Sequence, residues 1–138
     1  MANEVVATLV DTNVILDVAT EDAEWLDWST SRLEHAAEHG PLVINQMIYA
    51  EVSARYPTVE ELEAALPSTY YTRVSVPWEA AFLAGKAFEQ YRRRGGLKRS
   101  PLADFFIGAH AAVAGMTLLT RDPRRYRTYF PKLRLIAP

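Results

Sequence analysis

The 138-residue chain has no cysteine. That absence excludes disulfides, a thiolate nucleophile and the cysteine ligand sets of zinc fingers. No apolar run approaches the roughly 20 residues needed to span a membrane. The opening segment Met1-Ala2-Asn3-Glu4 lacks a basic stretch followed by an apolar one, so no secretory signal is legible. Also missing are a glycine-rich phosphate loop, a Gly-x-Ser-x-Gly elbow and a His-Glu-x-x-His helix. No internal repeat, low-complexity tract or long linker interrupts the chain. What remains is 49% hydrophobic residues, enough for one substantial core. The expectation is a single domain over residues 1–138, soluble and cytoplasmic, with no membrane role.

The net charge of −2 conceals an asymmetry. Residues 1–91 hold 15 acids and 4 bases, whereas residues 92–138 hold 2 acids and 11 bases. The bases cluster as Arg92-Arg93-Arg94, Lys98-Arg99, Arg121, Arg124-Arg125 and Arg127, with Lys132 and Arg134 beyond. The two acids in that basic third are Asp104 and Asp122. A basic surface around two acids suits a polyanionic substrate, although a merely solvated basic face has the same composition.

Apolar runs and breakers alternate along the chain. Residues 5–10 and Leu42-Val43-Ile44 read as short buried strands. Residues 71–76, 117–120 and 133–136 complete the strand set. Helices are expected at 13–19 and 22–39. Further helices should follow Asn45 as N-cap, run over 58–66 behind a Thr58/Glu61 capping box, and extend from Pro77 to about Arg94. Two more begin at Pro101, ending at Gly115, and at about 124–128. Strands alternating with helices predict an α/β fold with a central, mainly parallel sheet, whose functional groups gather outside the carboxyl ends of the strands.

Four acids fall at such positions. Asp11 ends the first apolar strand and opens Asp11-Thr12-Asn13. Glu51 lies beside an apolar helical stripe. Asp104 sits in the first turn behind Pro101, flanked by Leu102, Ala103, Phe105 and Phe106. Asp122 follows the strand Met116-Thr117-Leu118-Leu119-Thr120. Each has a plainer reading: an Asx-turn or N-cap for Asp11, an ordinary exposed glutamate for Glu51, a dipole partner for Asp104 and an N-cap for Asp122. Taken together, four carboxylates at one sheet edge would repel one another unless a divalent cation held them. That pattern points to Mg²⁺- or Mn²⁺-dependent phosphodiester chemistry. His35, His39 and His110 read as exposed or structural, and the tryptophans and tyrosines as core or interface groups.

The segments Asp11-Thr12-Asn13-Val14-Ile15-Leu16-Asp17, Pro101-Leu102-Ala103-Asp104-Phe105-Phe106-Ile107-Gly108-Ala109-His110-Ala111 and Leu118-Leu119-Thr120-Arg121-Asp122, with a helical Glu51 between them, resemble the PIN-domain family. Within it, the chain is similar to the VapC toxins of bacterial toxin–antitoxin pairs. The resemblance covers essentially the whole chain. It implies a PIN-like α/β/α sandwich and an endoribonuclease that hydrolyses RNA with metal-activated water. By position, Asp11, Glu51, Asp104 and Asp122 would be the catalytic, metal-binding quartet, supported by Thr12, Asn13 and Thr120. Arg93, Arg94, Lys98, Arg99, Arg121, Arg124 and Arg125 would hold RNA phosphates. A VapB-type antitoxin and a homodimer are implied as partners. The competing readings are a nuclease acting on DNA or flap substrates, a non-catalytic RNA-binding regulator, and a receiver-like phosphotransfer domain. The last lacks a lysine at a strand end.

Overall fold

The structure, a computed structural model, describes residues 5–96 and 101–138. In chain order the elements are β1 (Thr8–Val10), α1 (Thr12–Ala19), α2 (Leu26–Ala37), β2 (Leu42–Ile44), α3 (Gln46–Ser53), α4 (Val59–Ala65), β3 (Tyr71–Arg73), α5 (Trp78–Arg93), α6 (Leu102–Ala114), β4 (Thr117–Leu119), α7 (Arg124–Tyr129) and β5 (Leu135–Ile136). Every expected element is present; β2 has the expected bounds, and the other strands are shorter than the runs that announced them. β3 stops at Arg73 because its partner β2 stops at Ile44, whose carbonyl accepts the last bond from the Val74 N–H at 3.0 Å.

Local chemistry sets the ends. Asn45 Oδ1 accepts the Ile48 N–H at 3.1 Å and caps α3, and Thr58 Oγ1 accepts the Glu61 N–H at 3.1 Å and caps α4. Gly115 ends α6 in the left-handed region, at φ 68°, where a side chain would be strained.

The sheet has five strands in the order β3-β2-β1-β4-β5, and every pairing is parallel. The chain starts at the centre, builds outward through β2 and β3, then crosses back to place β4 on the other side of β1. The order therefore reverses between β1 and β4, the place where ligands gather in such sheets. The central strands are buried on both faces: Leu9, Val10, Leu42, Val43, Ile44, Leu118 and Leu119 are all within 2% of full burial. Continuous apolar strands under flanking helices are what a parallel sheet requires.

Helix α6 packs on both α5 and α7. Its contact with α7 depends on Gly108, where an added Cβ would meet the Phe130 ring at 2.5 Å and the Tyr126 ring at 3.0 Å. Gly108→Ala is expected to destabilise the protein by about 1–3 kcal/mol through overpacking. An unchanged urea midpoint would show that α7 shifts without penalty.

Candidate active site

Asp11 lies at the carboxyl end of β1, 5% exposed. Its N–H donates to the Leu119 carbonyl at 2.9 Å, which fixes the backbone at the β1–β4 junction. Asp11 is itself the N-cap of α1: Oδ1 accepts the Thr12 N–H at 2.8 Å. The N-cap reading of Asp11 from the sequence therefore holds beside its place in the acidic group. Oδ2 accepts two hydroxyls, Thr120 Oγ1 and Tyr126 OH, each at 2.9 Å. Burial pushes the Asp11 carboxyl up to about 6, opposed by these hydrogen bonds and reinforced by the negative charge of Asp104. The Tyr126 hydroxyl is pushed well above its usual range, by burial first and then by the Asp11 charge.

Thr120 and Asn13 tie the β4–α7 loop to β1. Besides donating to Asp11, the Thr120 hydroxyl accepts the Asp122 N–H at 3.1 Å and the Asn13 amide at 3.4 Å. Asn13 Oδ1 in turn accepts the Arg121 N–H at 3.1 Å. Asp122 is thereby held at the mouth, exposed, and its side chain does not cap α7.

Glu51 reaches the same place from α3. Its Oε1 accepts the Thr12 hydroxyl at 2.7 Å, and burial followed by the Asp104 charge raises its carboxyl. Asp104 stands in the first turn of α6, with Oδ2 accepting from Arg125 Nη1 at 2.6 Å.

All four expected acids line one open pocket of about 340 Å³, together with Thr12, Asn13, Asp17, Asp22, Arg55, Arg121, Arg125 and Tyr126. Among the described residues, no three acidic or histidine side chains converge closely enough to cage a bare ion. A hydrated cation does not need such a cage. Mg²⁺ keeps several waters and uses one or two carboxylates plus substrate phosphate. The raised Asp11 and Glu51 carboxyls and their repulsion by Asp104 mark a surplus of negative charge, so the donor set fits a hydrated divalent cation.

The expected RNA-binding arginines divide. Arg121 and Arg125 line the pocket, but each already holds an acid. Arg121 grips Asp17 through Nε at 3.0 Å and Nη2 at 2.9 Å, and its guanidinium lies 5.4 Å from the Trp25 ring centroid. Arg124 sits in a neighbouring groove with Asp122 and Arg127. Arg93 pairs with Glu89 at 3.6 Å, and Arg94 lies over the Tyr129 ring, both at the end of α5. Lys98 and Arg99 lie outside the described residues.

Three participants escaped the sequence reading. Asp17 is 2% exposed and also accepts the Ser29 hydroxyl at 2.7 Å. It stood inside the quoted Asp11–Asp17 segment, where its spacing of six from Asp11 offered a weak signal. Tyr126 and Arg55 left no local signal. His110, expected to be structural, is buried with Nδ1 at 3.0 Å from Asn45 Nδ2. Since Asn45 Oδ1 is committed to the Ile48 N–H, Nδ1 must accept, and the imidazole is neutral.

The PIN domain family model matches residues 8–131. No curated protein matches the chain. Among solved structures, VapBC2 from Rickettsia felis bound to a DNA fragment from its promoter superposes with a TM-score of 0.73 at 18% identity, covering 95% of this chain and 98% of that one. VapBC-1 from nontypeable Haemophilus influenzae gives 0.72 at 16%, covering 95% and 97%. FitAcB from Neisseria gonorrhoeae gives 0.62 at 17%, covering 94% and 96%. At these identities the structures show a shared fold. The family match over residues 8–131, with the all-parallel sheet and the acids at its switch point, establishes that this chain belongs to the PIN-domain family.

Proposed function

We propose that the chain is a VapC-type toxin, a Mg²⁺- or Mn²⁺-dependent endoribonuclease neutralised by a VapB-type antitoxin. The observation that carries this reading is the meeting of Asp11, Glu51, Asp104 and Asp122, from separate elements, around one pocket at the sheet's switch point. Similarity to chains solved in VapBC and FitAB complexes supports the antitoxin partner. The homodimer rests on the resemblance to VapC toxins. Among the described residues, no helix is long and apolar enough to cross a membrane.

A divalent cation held by Asp11 with Glu51, Asp104 or Asp122 would balance charge on the phosphate and acidify a water for attack. The chain's own groups prepare that site. Three hydrogen bonds lock the orientation of the Asp11 carboxylate before any ligand arrives. Thr12 does the same for Glu51. Arg121 and Asn13 hold the loop that presents Asp122. Glu51, half-buried and with a raised carboxyl, is suited to take a proton from the attacking water.

The test is incubation of purified protein with total cellular RNA in Mg²⁺, in EDTA, and as Asp104→Asn. Discrete fragments that disappear in both controls are expected, and mapping their ends would identify the target. Cleavage of DNA alone, or cleavage that survives EDTA, would overturn the reading.

A further inference from the structure

Three arginines reach the pocket, and they are not equivalent. Arg121 is bound bidentate to Asp17, and Arg125 is bound to Asp104. Arg55 lies just past the C-terminal end of α3, exposed on the pocket rim. Among the described residues, no hydrogen bond, ion pair or ring contact engages its guanidinium. The acid nearest to it in the sequence is Glu51, four residues earlier on α3. Glu51 instead takes the Thr12 hydroxyl at 2.7 Å. Arg55 is thus a planar, permanently charged fork beside the acids, left without an acid of its own.

A polyanion cannot approach four carboxylates without cationic help. Recruiting Arg121 would first break its pair with the buried Asp17, and recruiting Arg125 would take it from Asp104. Recruiting Arg55 breaks nothing. We propose that Arg55 is a substrate-binding residue that clamps a backbone phosphate of the polynucleotide at the pocket. This rests on the nuclease reading above. A guanidinium suits the task because it can give a phosphate two parallel N–H bonds. Arg55 also comes from the acidic part of the chain, residues 1–91, so the charge asymmetry pointed away from it.

The test uses a fluorescein-labelled single-stranded RNA oligonucleotide and its DNA counterpart. Anisotropy is recorded in EDTA over a KCl series with the full-length wild type, Arg55→Gln and Arg55→Lys. Cleavage of the same oligonucleotides is followed in Mg²⁺. Arg55→Gln should bind about tenfold more weakly, and the slope of log K against log salt should fall by about 0.7, the value for one phosphate on a single strand. Arg55→Lys should keep the slope yet lose kcat/KM through a higher KM. A purely structural role would leave the salt slope unchanged. If the wild type cleaves and Arg55→Gln retains its affinity, slope and KM, the clamp is wrong and the nuclease reading stands. If the wild type binds and cleaves neither polymer, both fall.

Discussion

Replacing Asp11 with asparagine is expected to lower cleavage by about 10³-fold or more, the usual scale for removing a central catalytic group, while leaving the fold intact. The substitution is nearly isosteric. Its carbonyl oxygen can still accept the Thr12 N–H, now at 2.8 Å from Oδ1. Its amide would face the Tyr126 hydroxyl, which can turn from donating to accepting, and the Thr120 hydroxyl, which already accepts the Asp122 N–H and would have to release the long Asn13 bond at 3.4 Å to accept it. What disappears is the negative charge at the carboxyl end of β1.

The same variant has a signature in the metal-free protein. The Asp11 carboxyl, raised to about 6 chiefly by burial, holds its proton more tightly folded than unfolded. Its contribution to stability is therefore full below the unfolded value near 4 and is lost as pH rises through about 6. The loss is on the order of 2–3 kcal/mol across that window. Asp11→Asn removes this slope, so in EDTA the variant should gain on the wild type as pH rises from about 4 to about 7. His110, whose pKa burial lowers, pulls the other way and weakens the fold as pH falls, but equally in both proteins. Urea unfolding at several pH values, compared as differences, isolates Asp11. Parallel curves would show that its carboxylate is not strained by burial.

Arg121→Met is expected to produce the largest loss of stability, about 3 kcal/mol. Arg121 gives Asp17 two N–H bonds, and Asp17 is 2% exposed. Without the guanidinium, a buried carboxylate would keep only the Ser29 hydroxyl as a side-chain donor. The arginine side chain is 33% exposed, which softens the effect below that of a fully enclosed pair. The double variant Asp17→Leu/Arg121→Met should recover much of the loss, because the uncompensated charge is gone. Strict additivity of the two single changes would mean that the pair is not coupled. Activity should fall in both cases, since the 120–122 loop that presents Asp122 would keep its Asn13 and Thr120 bonds but lose its anchor.

The amino-acid sequence determined the element types, and for local reasons. Short apolar runs bounded by breakers, such as Leu42–Ile44 between Gly40-Pro41 and Asn45, read as strands buried on both faces, while Asn45, Thr58 and Gly115 carry their capping chemistry with them. It also located the four acids, because a carboxylate at the end of an apolar strand or beside an apolar stripe stands out from an ordinary charged face. Strand boundaries were less legible, since a strand ends where its partner does. Tertiary structure alone decided which side chains share those acids. Tyr126 reaches Asp11 across 115 positions and Arg121 reaches Asp17 across 104, separations at which no spacing rule operates. It also decided which cations are free. Composition marked the basic C-terminal third as the phosphate-binding face, but packing paired Arg121 and Arg125 with acids and left Arg55, from the acidic part, open on the rim. A charge's availability depends on what lies within hydrogen-bond reach, and that is a property of the folded chain.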